Sequence, residues 1–261
     1  MELNLDSLLN QPHILIAGTT GSGKSNLLHY MIDYLLNYTP VTFCMIDPKR
    51  VELSLYKNYG NTQGYACEIP EIITTLDGVI LEMENRYKYM QARALREYPG
   101  CYIYLIIDEL ADIMTTAKKD VLPRLQRILQ LGRAANIHVI AATQAPDRTY
   151  TLPALLKLNF TDRIALRCAT AIESKQIIDR PGAETLPQYG QAIYRNCIGN
   201  CTLVDIPYIS TEHIQKKVFS ARIKFKEHYM RQLLKNKNLY KRLYPEDFNI
   251  FGFRKLTSKN S

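Results

Sequence analysis

Residues 18–25 read Gly18-Thr19-Thr20-Gly21-Ser22-Gly23-Lys24-Ser25, a complete Gly-x-x-x-x-Gly-Lys-Ser pattern. The apolar run Ile14-Leu15-Ile16-Ala17 precedes it, and the helix-competent stretch Asn26-Leu27-Leu28-His29-Tyr30-Met31-Ile32 follows. Strand, glycine-rich loop and helix in that order make a phosphate loop, which ties the chain to an α/β fold. The glycines let the backbone curl so that successive N–H groups point inward at phosphate oxygens. Lys24 reaches the β and γ phosphates, and the Ser25 hydroxyl is placed to ligate Mg²⁺. Gly18, Thr19, Thr20, Gly21, Ser22, Gly23, Lys24 and Ser25 are therefore the expected nucleotide-binding residues, for ATP with Mg²⁺.

Periodicity extends the pattern. Short, β-branched apolar runs at 13–17, 41–47, 102–107, 137–142 and 163–168 read as strands covered on both faces. Helical stretches near 24–37, 71–97, 120–134 and 171–178 alternate with them, which predicts an α/β domain with a mainly parallel sheet flanked by helices. Glu82/Arg86 and Glu84/Lys88 stand at i, i+4 in the longest helix and suit an exposed face. Residues 190–195 and 201–206 read as a hairpin around a Gly/Asn turn, followed by a helix over about 211–235 and a tail with no confident periodicity.

Strand 102–107 runs into Asp108-Glu109. In P-loop enzymes of the additional-strand type, the aspartate at this position serves the Mg²⁺ and the next glutamate polarises the attacking water. Asp108 is thus a second metal-site candidate beside Ser25, and Glu109 the candidate base. The strand at 137–142 runs out through Ala142-Thr143-Gln144, and at that carboxyl edge the polar amide of Gln144 can sense the γ-phosphate. Arg133, Arg163 and Arg167 are candidates for an arginine that stabilises transition-state charge.

Charge is uneven. Residues 210–261 carry thirteen Lys/Arg against four acids, whereas the whole chain has a net charge of +8. The first 209 residues are therefore nearly neutral, and attraction to nucleic acid or anionic lipid is concentrated in the C-terminal segment. A boundary between a motor domain at 1–209 and a basic helix and tail at 210–261 follows. No apolar run approaches the roughly 18 residues of a membrane span, and the N-terminus lacks a signal pattern, so a cytoplasmic protein is expected. The six cysteines follow no disulfide framework. Cys197 and Cys201 could meet across the hairpin turn, but no second pair accompanies them to bind zinc.

Taken together, Pro12-His13 with the phosphate loop, Met45-Ile46-Asp47-Pro48-Lys49, Val51-Glu52-Leu53-Ser54, Glu82-Met83-Glu84-Asn85-Arg86-Tyr87, Ile107-Asp108-Glu109-Leu110-Ala111-Asp112, Arg133-Ala134-Ala135-Asn136-Ile137-His138, Ala142-Thr143-Gln144, Arg163-Ile164-Ala165 and Gly182-Ala183-Glu184 occur in order. This series, over roughly residues 12–206, resembles the motor domain of the FtsK/SpoIIIE DNA translocase family. The resemblance implies a RecA-like ATPase that forms a ring, usually a hexamer, and pumps double-stranded DNA. It also implies ATP between subunits and an arginine supplied in trans. Ala145 stands where the family commonly has arginine. With no membrane region before residue 12 and no obvious winged-helix sequence after the hairpin in these 261 residues, a motor of the type found on conjugative elements, plasmids and phages is expected. A membrane-associated or conjugation-machinery partner fits that setting. Two other functions use the same loop: an ATP-gated DNA coupling or recruitment protein, and a small-molecule P-loop kinase.

Overall fold

Eight strands form one sheet in the computed structural model, which describes residues 1–37, 41–59, 61–144 and 154–220. In chain order the elements are α1 (Leu5–Leu9), β1 (His13–Gly18), α2 (Lys24–Leu35), β2 (Val41–Ile46), β3 (Thr62–Ala66), α3 (Ile69–Gln91), β4 (Tyr102–Ile107), α4 (Leu110–Leu131), β5 (Ile137–Gln144), α5 (Ala154–Asn159), β6 (Asp162–Ala165), α6 (Ala171–Ile178), β7 (Gln191–Arg195) and β8 (Cys201–Asp205). The sheet order is β3-β2-β4-β5-β1-β6-β7-β8. Strands β1 to β6 pair in parallel, and β7 and β8 add an antiparallel hairpin at one edge. The expected α/β fold with its C-terminal hairpin is present, and β5 is the additional strand between β1 and β4.

Alternation along each strand divides the core between the two faces of the sheet. Ile14, Ile16, Phe43, Met45, Ile106 and Ile140 pack with Leu27, Leu28, Met31 and Ile32 of α2 on one side. Leu15, Cys44, Ile46, Leu105, Ile107 and Val139 pack with α3 and α4 on the other. Strands β1, β4 and β5 are apolar on both faces because helices cover both.

Some expectations need correction. Helix α4 starts at Leu110, ten residues before the predicted 120, because the strand turns straight into a helix capped by Glu109. The polar run Thr115-Thr116 and Lys118-Lys119-Asp120 breaks the apolar period of its first half, and the helix has a non-helical backbone at Ala117, with φ −136° and ψ 32°. The long helix stops at Gln91, not 97, after Pro70 at its first turn and a capping box between Glu68 and Glu71 set its start. Strand β3, which no apolar run announces, has Gly64 inside and little apolar alternation. The predicted exposed pair Glu82/Arg86 is also wrong in setting. Arg86 is 3% exposed and donates to the carbonyls of Cys101 and Ala135 at 2.8 Å each, besides meeting Glu82 at 2.9 Å. Glu84 meets Arg127 of α4 at 2.8 Å.

Beyond the hairpin, residues 211–220 are helical and pack on α2: Ile214 is buried, and His213 and Lys217 face Asp33 at 3.0 and 3.8 Å. Asn26 of α2 fastens the preceding stretch, donating to the Pro207 carbonyl and accepting from the Ile209 N–H. The rest of the predicted helix to 235, and the basic tail, lie outside the described residues. Among the described residues no helix is long and apolar enough to cross a membrane. The six cysteines are free thiols, Cys197 and Cys201 included.

One consequence of this packing is measurable. Burial holds His13 down to about 3 and His138 to about 4, with His138 wedged between the Tyr102 and Tyr104 rings. Both imidazoles are neutral in the fold but take up protons once unfolded, below about pH 6.5. The stability they allow is therefore complete above pH 6.5 and is lost as pH falls toward their folded values. At pH 5 the loss is on the order of 2 kcal/mol per isolated histidine, less for a pair that interacts. The thermal midpoint is expected to drop several degrees between pH 7 and 5, and the His13→Leu/His138→Phe double variant to drop less. Parallel pH dependences in the two proteins would rule these histidines out as the source.

Candidate nucleotide site

Register brings the site together at the carboxyl ends of four parallel strands. Gly18 at the end of β1 lies opposite Gln144 at the end of β5. Ile46 of β2 lies opposite Ile107 of β4, so Asp47 and Asp108 leave the sheet side by side, and the Asp108 N–H donates to the Ile46 carbonyl at 3.0 Å. Ligands of open parallel sheets bind at this edge.

Two glycines of the loop have left-handed backbones, Gly21 with φ 73° and Gly23 with φ 94°, which a side chain would strain. Gly18 is required for a different reason: a Cβ there would come within 2.6 Å of the Ser22 hydroxyl and 2.9 Å of the Leu166 Cβ. The loop is braced from the next strand, since the Thr19 N–H and hydroxyl both donate to the Arg167 carbonyl, at 2.9 and 3.1 Å. The N–H groups of the first turn of α2, which begins at Lys24, have no carbonyl partner within the helix. Together with the helix dipole they form an anion site. Lys24 folds back over the loop and donates to the Gly18 and Thr19 carbonyls at 2.8 and 2.9 Å. Burial lowers its pKa, and Glu109 opposes that effect.

Opposite the loop lies a carboxylate group. Glu109 is 3% exposed, and both of its oxygens are engaged: one accepts the Gln144 N–H at 2.9 Å, the other faces the Lys49 ammonium at 3.3 Å. Burial raises the Asp108 carboxyl to about 6, with the charges of Asp47, Glu52 and Glu109 adding to it and Lys49 opposing. Asp47 is fully buried and accepts from the Leu53 N–H and the Tyr65 hydroxyl. Glu52 accepts from His29 at 3.3 Å, and the other nitrogen of His29 meets the Tyr56 hydroxyl at 2.8 Å. The hydrogen bond from His29 keeps the Glu52 carboxyl below the usual range, against the effect of burial, and Ser25 adds to the lowering.

This chemistry fits a triphosphate with Mg²⁺. The Ser22 hydroxyl, one Asp47 oxygen and the Thr143 hydroxyl are buried without a protein hydrogen-bond partner, as expected of a site that completes itself with polar ligands. Four carboxylates face two lysines, which leaves room for added positive charge. Among the described residues no cluster of three His, Cys, Asp or Glu could hold a metal by itself. Mg²⁺ suits such a site, since it commonly binds through one or two protein oxygens with phosphates and waters making up the rest.

Of the expected site residues, Lys24, Ser25, Asp108, Glu109 and Gln144 come together. Gln144 meets Glu109 through its backbone N–H, while its side chain is exposed. Arg133 does not join them. It is exposed just before β5 begins, at the opposite end of that strand from Gln144, and so cannot serve the pocket of its own chain. Arg163 is buried and bound to the Phe160 and Ile177 carbonyls and to Asp179, which leaves it no free face. Arg167 is exposed beside the phosphate loop. Lys49, Asp47, Glu52 and His29 join the site in addition to the expected residues. The run Asp47-Pro48-Lys49 after an apolar strand was the available signal, since charged residues at the carboxyl end of a parallel strand face the ligand edge.

A sequence profile described as the FtsK/SpoIIIE family matches residues 3–102 and 97–148. The chain is 32% identical over 237 residues to the DNA translocase FtsK of Chlorobaculum tepidum, covering 82% of this chain and 29% of that protein. It is 37% identical over 233 residues to the DNA translocase FtsK of Leptospira interrogans serogroup Icterohaemorrhagiae serovar copenhageni, covering 81% of this chain and 24% of that protein. The chain thus spans less than a third of the length of these relatives. Among solved structures, the pCW3 conjugation coupling protein TcpA, a monomer form with ATPγS, superposes with a TM-score of 0.72 at 24% identity, over 82% of this chain and 66% of that one. At that identity the superposition establishes the fold.

Proposed function

Because this chain belongs to the FtsK/SpoIIIE family, we propose that it is an ATPase that uses hydrolysis to move DNA, duplex DNA in preference to single strands. The observation that carries the reading is the buried Glu109, held by Gln144 and Lys49 across from a complete phosphate loop. A carboxylate so placed can accept a proton from water attacking the γ-phosphate. The loop amides and Lys24 hold the β and γ phosphates, with Lys24 leaving its resting carbonyl partners to do so. Ser25 and Asp108 would hold Mg²⁺, which when bound neutralises phosphate charge.

Assembly follows from the same reading. A ring, hexameric by family resemblance, would place each ATP between subunits and supply an arginine in trans. Arg133 and Arg167 are both exposed and remain candidates, whereas Arg163 is committed internally. The basic segment beyond residue 220 would grip DNA phosphates by releasing counterions, making binding steeply salt-dependent. A cytoplasmic setting in conjugative, plasmid or phage DNA handling suits this motor.

DNA should stimulate the ATPase. Added duplex is expected to raise turnover severalfold at low salt and progressively less as salt increases, with displacement of a triplex-forming strand in the presence of ATP. Turnover indifferent to DNA at every salt concentration would defeat the motor reading. An ATP-gated coupling role is the second reading, favoured by the likeness to a conjugation coupling protein. Nucleotide-dependent assembly without strand displacement would select it. A small-molecule kinase would instead transfer phosphate to a metabolite.

A further inference from the structure

We propose that Lys49 is a positioning residue for hydrolysis: from the turn after β2 it holds the second carboxylate oxygen of Glu109, so that the water-activating group is fixed from both sides. The inference rests on the reading of Glu109 as that group. Its first support is the division of labour around the carboxylate. The Gln144 N–H takes one oxygen at 2.9 Å and Lys49 takes the other at 3.3 Å. Lys24, the other lysine of the site, spends its hydrogen bonds on the loop carbonyls. A glutamate gripped at one oxygen retains rotation about its terminal bond; gripped at both, it presents its remaining lone pairs in one direction.

The second support is how firmly Lys49 is rooted. Asp47, two residues earlier, is fully buried and fixed by the Leu53 N–H at 3.0 Å and the Tyr65 hydroxyl at 3.2 Å. Arg50, one residue later, adopts the left-handed conformation with φ 59°, returns its N–H to the Asp47 carbonyl at 3.1 Å and pairs with Glu68. A non-glycine residue in that conformation is uncommon, and here it closes a tight turn that aims the intervening lysine at the site. The ammonium also faces Asp112 in the first turn of α4 at 3.6 Å. The lysine side chain is 44% exposed while the Glu109 side chain is 3% exposed, so a cation from the solvent side reaches a carboxylate that water scarcely touches. Charge-assisted bonds to buried groups are the strong ones, and losing this one leaves Glu109 with a single fixed partner.

The test uses the full chain and compares Lys49→Met, Lys49→Arg, Glu109→Gln and the Lys49→Met/Glu109→Gln double variant. DNA-stimulated kcat and KM for ATP are measured together with the Kd of a fluorescent non-hydrolysable ATP analogue. Lys49→Met is expected to lower kcat about tenfold to a hundredfold with Kd changed less than twofold, the loss given by one charge-assisted hydrogen bond. Lys49→Arg, which keeps the charge, is expected to recover most of the rate. The double variant is expected to turn over no more slowly than Glu109→Gln alone, since Lys49 acts through that carboxylate. Wild-type kcat in Lys49→Met would overturn the proposal. So would a loss of analogue affinity matching the loss of rate, which would make Lys49 a phosphate ligand, or a further loss in the Glu109→Gln background. If Glu109→Gln itself turns over like the wild type, the water-activation reading fails first and this inference falls with it. Thermal midpoints check folding, and Lys49→Gln carries the same comparison if the methionine variant does not fold.

Discussion

Replacing Glu109 with glutamine is expected to cut steady-state ATP turnover by at least about a hundredfold while leaving nucleotide binding intact. The substitution keeps the size of the side chain and an oxygen for the Gln144 N–H, so the packing of a group only 3% exposed is preserved. What is lost is the acceptor for the proton of the attacking water. General-base contributions run from about a hundredfold to ten-thousandfold, and loss on that scale would leave ATP bound but uncleaved. Lys24→Ala makes the contrast. The lysine is the loop's own cation, and its removal is expected to abolish binding of ATP, so no bound and uncleaved state accumulates. Filter binding of labelled ATP beside phosphate release separates the two variants. Equal turnover by wild type and Glu109→Gln would take that glutamate out of the mechanism.

Replacing Arg86 with methionine is expected to destabilise the fold by about 3–5 kcal/mol, a large share of the stability of any single domain. Its guanidinium reaches the carbonyls of Cys101, Ala135 and Asn136 at 2.8, 2.8 and 3.4 Å, bonds Glu82 at 2.9 Å and lies 4.4 Å from the centre of the Tyr98 ring. These carbonyls precede β4 and β5, so one side chain of α3 fastens the amino ends of both strands. Methionine fills much of the volume but supplies no donor, which strips the buried Ala135 carbonyl of its guanidinium partner and removes the bonds to the Cys101 carbonyl and to Glu82, while the Asn136 carbonyl keeps the Ile103 N–H at 2.9 Å. Arg86→Lys is expected to recover little, because a single ammonium cannot reproduce the planar fork. Urea denaturation is the measurement, with a midpoint lower by about 1–2 M. A shift under about 0.3 M would mean that the carbonyls find other donors.

These two residues differ in how far their roles can be read from sequence. Glu109 follows an aspartate at the end of an apolar strand, downstream of a phosphate loop, and that local order points to water activation. Arg86 carries no such signal. A glutamate four residues before an arginine on a helix reads as a solvated pair, and only the docking of α3 over the starts of β4 and β5 buries it. The same contrast separates Lys24 from Lys49. Lys24 is named by its loop, whereas the contact of Lys49 with Glu109 joins residues far apart in the chain, through the parallel register of β2 with β4. Arg133 and Arg163 were equivalent candidates by type and proximity to strands. The structure separates them because one is exposed at the far end of β5 and the other is enclosed between Asp179 and two carbonyls.

Local chemistry, then, determined the phosphate loop, the strand-then-acid pair at Asp108 and Glu109, the apolar strands and the hairpin. Each depends on neighbours within a few residues, where backbone sterics and hydrophobic periodicity act directly. Tertiary structure alone decided the placing of β3 at the sheet edge, the start of α4 at Leu110, the burial of Arg86 and the meeting of Lys49 with Glu109. Those outcomes depend on which strands pair and which helix faces are covered. They are settled by burial and charge pairing between segments whose separation along the chain leaves no local pattern.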